Sequence, residues 1–231
     1  MKITILPIVF EKLNPQFSCG FILATHLDNA ILHKEARNLL DDIEQYVRLT
    51  FHKETFATHK MISPWESAKQ HFKGKAHHYH TSVEKLLKTV LARKSVATKN
   101  VAHNLVHYLS LKHIIPMTLD DADKIVGNIT LSISTGRQRI GLKKIPKDVL
   151  LYHDESKKRK IIGTMFGYKK VRRTKVGPKT KTILIQINAM PPITSKEFEI
   201  LMKETAELFA SFTDGHVKTL ILNKSNKSGM I

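Results

Sequence analysis

The chain reads as an α+β protein, mostly antiparallel sheet with helices packed on it, and three observations predict this. Apolar residues recur at helical spacing through a first half of about residues 1–125. A strand-rich, basic second half of about residues 126–223 carries short alternating runs between Gly, Pro and charged turns. With 42% apolar and 25% charged residues among 231, the chain has enough apolar surface for a sizeable core. No internal repeat, low-complexity linker or composition break divides it, so residues 1–231 are expected to form one domain.

Taken in order, Met1 to Leu27 mixes apolar runs with Pro7, Pro15 and Gly20, and Cys19 to Thr25 reads as a short buried strand at an edge of the sheet. From Asn29 to Phe51, Ile31, Leu32, Leu39, Leu40, Ile43, Val47 and Leu49 fall at helical spacing and mark a long amphipathic helix. Pro64 opens a helix reaching about Phe72, which Gly74 and Lys75 break. Val83, Leu86, Leu87, Val90 and Leu91 form another helical face; Ser82 at its start has Lys85 three residues on, so a full capping box is not expected. Asn100 to Ile115 is a helix packed on a sheet, ended by Pro116. Thr118 is expected to cap a short turn whose Asp120, Asp121 and Asp123 suit a helix N-terminus.

After Gly127 the period shortens. Asn128 to Ser134, Arg139 to Ile145, Val149 to His153, Lys160 to Phe166 and Lys181 to Asn188 read as strands of a meandering antiparallel sheet. Thr194 caps a helix through Phe212, with Phe198, Leu201, Met202, Leu208 and Phe209 inward. A strand from His216 to Leu222 follows, and the polar tail from Asn223 is expected to fray.

The charge points to a partner. There are 38 Lys and Arg against 20 Asp and Glu, a formal +18. Between Arg137 and Lys181, 16 basic residues face three acidic ones, so thirteen of the eighteen excess charges lie in 45 residues. Such a field concentrates phosphate polymers without reading their sequence. No apolar run reaches membrane-spanning length and no secretory signal opens the chain, and the single cysteine, Cys19, fits a reducing cytoplasm. Export, membrane insertion and a cysteine zinc cage are therefore disfavoured.

No local motif names a reaction, since phosphate loop, nucleophile elbow, kinase and zincin signatures are all missing. Cys19 reads as buried filler in an apolar strand. His71, His77, His78 and His80 form the densest histidine group, but no helical i, i+4 pair backed by Glu accompanies them; neither a metal nor another cofactor is expected. The acidic residues before Gly127 are better explained by capping and solvation than by magnesium. His103 and His107 share a helix face.

Several ordered segments together resemble a known family. Tyr79-His-Thr-Ser-Val-Glu-Lys-Leu-Leu87 is similar to Tyr-Arg-Pro-Ser-x-Glu-x-Leu-Leu, and Asn100 opens a segment similar to Asn-x-x-Val-Asp-x-x-Asn-x-x-Ser-Leu, in which Ser110 and Leu111 match. Pro116-Met-Thr-Leu-Asp-Asp-Ala-Asp-Lys-Ile-Val-Gly127 looks like Pro-Met-His-Ala-Phe-Asp-Leu-Asp-Lys-Ile-Glu-Gly. Arg173-Thr-Lys-Val176 with Thr180, then Pro191-Pro192, is similar to the Arg-Thr-Lys-Ile and distal Thr of standalone members. Together they resemble a freestanding B3/B4 domain, the module that forms the editing site of the phenylalanyl-tRNA synthetase β subunit.

The resemblance implies a B3/B4-like α+β fold whose pocket takes the 3′ end of an aminoacylated tRNA and hydrolyses a wrongly attached amino acid. Carried over residue by residue, the positions that agree with the motifs are Asn100, Ser110, Asp121, Asp123, Arg173, Thr174 and Thr180; Asn100, Ser110, Thr174 and Thr180, together with His107 and Thr118, which depart from the motifs, are expected in the catalytic pocket. Lys169, Lys170, Arg172, Arg173, Lys175 and Lys181 would meet the RNA. Departures accompany the matches: Asn104 and His107 stand where the family helix has Asp and Asn, and Thr118 stands where it has His. Arg172 falls where relatives carry the carboxylate that reads the amino acid; an arginine accepts no hydrogen bond, so the synthetase's tyrosine specificity does not transfer. Two other readings remain open at this point, a non-catalytic RNA-binding module and a pocket protein for an amino acid or nucleotide.

Overall fold

A computed structural model of the chain describes residues 1–70, 80–140, 142–157, 161–164, 169–170 and 172–231. Strands β1 (Lys2–Ile5), β2 (Ser18–Thr25), β3 (Met117–Asp121) and β4 (Ile129–Ile133) are joined by helices α1 (Pro7–Lys12), α2 (His33–Thr50), α3 (Ser63–Gln70), α4 (Ser82–Leu91) and α5 (Val101–His113). Then come β5 (Arg139–Ile140), β6 (Lys143–Lys144), β7 (Leu150–Asp154), β8 (Ile161–Thr164), β9 (Lys169–Lys170), β10 (Ile183–Ala189), α6 (Ser195–Thr213), β11 (His216–Leu222) and β12 (Ser228–Met230). Six strands form one sheet in the order β12-β1-β4-β7-β8-β9, four form another in the order β11-β2-β10-β3, and β5 and β6 make a separate hairpin. The α+β expectation holds. The pairings are antiparallel except for β1 beside β4.

Alternation along β10 explains the layering. Its seven residues are all buried, because both faces of its sheet are covered. Ile183, Ile185 and Ile187 pack with Leu105, Leu109, Phe198 and Phe209 of α5 and α6, whereas Leu184 joins the core between the sheets with Phe21, Leu131, Leu151 and Tyr152. A third core under α2, α4 and α5 holds Leu40, Val47, Val83, Leu87, Val90 and Leu111. Gly20 lets α6 close on β2: a Cβ there would collide with the Met202 sulfur. Gly127, at φ +69°, turns the chain into β4 where a Cβ would strike the Glu155 carboxylate.

Long-range pairing overrides several local preferences. The strand starting at Ser18 is not an edge; β2 lies between β11 and β10. Thr118 does not cap a turn, since it sits inside β3 with its acidic neighbours Asp120 and Asp121, and the 3₁₀ turn Ala122–Lys124 has no side-chain cap. The tail does not simply fray: Ser228 to Met230 pair with β1, and the amino terminus donates to the Ile231 carbonyl at 2.8 Å. Contrary to expectation, helix α4 has a full capping box, set one residue earlier, from Thr81 and Glu84. Helix α2 begins at His33 rather than Asn29. The meander holds for β4, β7, β8 and β9, while β10 leaves for the other sheet. Helix α3 is described to Gln70; the expected end near Phe72 and break at Gly74 and Lys75 lie outside the described residues.

Candidate functional site

Among the described residues β3 is the outer strand of the four-stranded sheet, paired with β10, with Thr118 opposite Gln186 and Asp120 opposite Leu184. Met117 and Leu119 enter the core under the helices. Where β3 passes α4 and α5, a pocket of about 220 Å³ opens, lined by Ser82, Lys85, Leu86, His103, Val106, His107, Met117, Thr118 and Leu119. Its floor is apolar and its walls carry a cation, two imidazoles and hydroxyls, which is the make-up of a small-ligand site.

Both imidazoles are held in fixed orientations. His107 Nδ1 donates to the Val96 carbonyl at 2.8 Å, so Nε2 is the acceptor nitrogen of the neutral ring. His103 lies edge-on to it, ring centroids 6.2 Å apart, with Nδ1 3.0 Å from Asn100 Oδ1. Asn100 caps α5 through the His103 amide, and its Nδ2 donates to the Gly177 carbonyl at 3.3 Å. One asparagine thus ties the histidine helix to the loop before β10.

That loop is fastened to the far end of β3. Thr180 Oγ1 accepts from the Gly177 amide at 3.0 Å and donates to Asp121 Oδ2 at 2.9 Å, while Lys124 Nζ reaches the same oxygen at 2.5 Å. Thr174 Oγ1 donates to Asp120 Oδ1 at 2.7 Å. A second, more open cleft of about 590 Å³ follows, lined by Asp121, Asp123, Lys124, Lys175, Gly177, Pro178, Lys179 and Thr180.

A family model for the B3/4 domain matches residues 68–213. The chain belongs to the B3/4 domain family. No curated protein matches it. The match begins within α3 and ends with α6, so β1, β2, β11 and β12, which complete both sheets of this B3/4 fold, lie outside it.

The expected site residues of this B3/4 chain separate into groups. His107 and Thr118 share the smaller pocket. Asn100, Thr174 and Thr180 form the network that joins α5, the loop and β3. Ser110 serves a local purpose, its hydroxyl donating to the Ile115 carbonyl at 2.6 Å to close the end of α5. Lys169 and Lys170 form β9, at the edge of the six-stranded sheet, and Arg172 opens the 3₁₀ turn to Thr174; the side chains of these three lie outside what the structure describes. Arg173 turns inward, with a 2.6 Å ion pair to Asp154 and a short bond to the Lys124 carbonyl. Burial works against ionising Asp154, but the Val126 amide and the Arg173 guanidinium outweigh it and hold its carboxyl below the usual range. Lys175 and Lys181 are exposed on the loop.

Sequence reading missed Lys85, Ser82 and Gln186. The first two fall within a motif, but only the turn of α4 shows that they face β3. Gln186 belongs to a buried polar group between the sheets: its Nε2 donates to Asn188 Oδ1 at 2.9 Å, and Tyr152 OH donates to the same oxygen at 3.2 Å. Cys19 donates there too, at 3.4 Å, and burial pushes its thiol far above the ordinary range. That supports the reading of Cys19 as a buried, inert side chain. Of the histidine group, His71, His77 and His78 lie outside the described residues. His80 lies with Glu66 and Glu84, their ligand atoms within 4.8 Å, but Lys69 Nζ stands 2.6 Å from Glu66 and 2.9 Å from Glu84. The lysine supplies the positive charge a metal would bring. Among the described residues, no helix is long and apolar enough to cross a membrane.

Proposed function

We propose that this B3/4 protein binds tRNA and hydrolyses misacylated aminoacyl-tRNA in trans, with the aminoacyl ester in the pocket between α4, α5 and β3. The observation that carries the reading is the pairing of His107 and Thr118 in one small pocket beside a lysine-lined cleft. The pocket suits the amino-acid end of the ester, and the cleft suits a phosphate backbone bound by charge alone.

In this reading His107 Nε2 takes a proton from a water as the water oxygen bonds to the ester carbonyl carbon. The hydroxyl of Thr118 and the ammonium of Lys85 offset the charge growing on the carbonyl oxygen. The intermediate then breaks its bond to the ribose oxygen, which takes the proton back from the imidazolium, and free amino acid and uncharged tRNA leave. Asn100, Thr174 and Thr180 act at one remove, as positioning residues that keep loop, helix and strand in register. Ser110 acts only through the end of α5.

The test is deacylation of a panel of mischarged tRNAs. Turnover by the wild type, reduced on the order of 100-fold or more in His107→Ala, is expected. Survival of every ester while tRNA still binds in a salt-dependent way would favour a non-catalytic RNA-binding module. Failure to bind RNA at low salt would leave only a pocket for an amino acid or nucleotide.

A further inference from the structure

A large open cavity, about 790 Å³, lies at the opposite end of α4 from the histidine pocket, between the C-terminal ends of α2 and α4. Its lining includes Arg48, His52, Lys53, Arg93, Asp41 and Glu44. The two carboxylates are already committed. Asp41 holds Arg37 through both its oxygens, at 2.9 and 3.0 Å. Glu44 is 2% exposed and accepts from Arg48 at 2.7 Å, Ser95 Oγ at 2.9 Å and the Val96 amide at 2.7 Å. Lys53 and Arg93 are exposed and form no ion pair among the described residues, so the cavity presents unneutralised positive charge.

The segment after α4 carries that charge onward. Arg93 turns out of the helix at φ +58°, Lys94 and Lys99 are exposed, and the Val96 carbonyl between them holds His107. Asn100 then bonds Gly177 in the lip of the lysine-lined cleft. Exposed cations thus stand on both sides of the segment that holds His107: Lys53 and Arg93 at the cavity, Lys94 and Lys99 along the segment, and Lys175 and Lys179 at the cleft, where Asp121 and Asp123 accompany them. From Ser82, in that pocket, to Leu91, in the cavity, α4 rises about 14 Å at roughly 1.5 Å per residue. A ligand with several spaced anions, such as a nucleic-acid backbone, can span that distance.

We infer that the α2–α4 cavity and the 93–99 segment form a second backbone-binding surface, which grips the body of a tRNA while its acylated end occupies the histidine pocket. This inference rests on the tRNA reading above and extends it to a region that the density of basic residues in the second half does not reveal. Phosphate contacts of this kind fix orientation and add affinity without base readout.

The test compares Lys53→Gln/Arg93→Gln/Lys94→Gln/Lys99→Gln with the wild type, using uncharged full-length tRNA and a short single-stranded oligonucleotide ending in the tRNA 3′ sequence. We expect affinity for tRNA to fall about tenfold or more near 0.1 M salt, and the slope of log affinity against log salt to shrink by about 0.7–0.9 for each phosphate that is no longer neutralised. Oligonucleotide affinity, the rate at saturating charged tRNA and the melting temperature should be unchanged. Lys196→Gln/Lys203→Gln on α6 is the control and should leave tRNA affinity intact. An unchanged tRNA affinity and slope in the quadruple variant, or an equal loss for tRNA and oligonucleotide, would overturn the inference. If the wild type itself fails to bind tRNA, the underlying reading falls with it. If the wild type binds and hydrolyses while the variant matches it, only the second surface falls.

Discussion

The two flanks of α4 carry the same kinds of side chain and use them in opposite ways. On one flank, Glu84 is enclosed with Lys69, Glu66, His80 and the Thr81 amide, and both Lys69 and Glu84 have side chains only 2% exposed. On the other, Ser82 and Lys85 face His103, His107 and Thr118 across open volume. In the first place the charges are enclosed against one another; in the second, the polar groups line a pocket of about 220 Å³.

The sharpest break of the closed flank is Lys69→Met. Removing one partner of a buried pair leaves the carboxylates facing each other, and we expect a loss of about 3–5 kcal/mol, read as a lower midpoint in urea. A loss near zero would show that the flank is as open as its counterpart.

On the open flank the largest effect belongs to activity. His107→Ala should reduce deacylation on the order of 100-fold or more while leaving the urea midpoint nearly in place. The contrast between the two variants, one unfolding and one silencing, is the comparison in its strongest form.

Acid sharpens it further. Burial alone would raise the Glu84 carboxyl, but its bonds to Glu66, the Lys69 charge and the Thr81 amide outweigh burial and hold it at about 2, below an ordinary 4.5. Since the folded value is the lower one, this carboxylate contributes stability fully above pH 4.5 and loses it as pH falls toward 2. An acid titration of the wild type should therefore show a loss of stability in that window that Glu84→Gln lacks.

A smaller effect is expected at the loop. Thr180→Val deprives the Gly177 amide of its acceptor and Asp121 of a donor, at a cost of about 1–3 kcal/mol. In the proposed mechanism Thr180 holds the cleft apart from the reacting atoms, so KM for charged tRNA should rise with little change in kcat. A fall in kcat alone would move Thr180 into the chemistry.

The helices are legible in the sequence because each is written in one segment: the apolar spacing of α4, α5 and α6 survives folding, and that of α2 survives from Leu39 to Val47, while Ile31 and Leu32 precede the helix and Leu49 is exposed. Sheet neighbours are not, because pairing is decided between distant residues. Nothing near Cys19 says that its strand lies between β10 and β11, and nothing near Ser228 says that it meets Lys2 and its neighbours. Thr118 resembles a cap because three acidic residues follow it, yet β10 draws the same stretch into the sheet. The site divides along the same line. His107 and Thr118 can be named from the chain, but Lys85 joins them only through the rotation of α4. Arg173 reads as part of a basic surface until Asp154, nineteen residues earlier, turns it inward. Charge density in sequence marks a region; which of its charges reach solvent depends on the fold.

The most direct measurement is single-turnover deacylation of mischarged tRNAs by the wild type and by His107→Ala, each shown to be folded and to bind uncharged tRNA equally. Rapid release of at least one amino acid by the wild type, and its near-disappearance in the variant, is the expected result. Equal rates for the two proteins, or intact esters with both, would contradict a hydrolytic pocket between α4, α5 and β3.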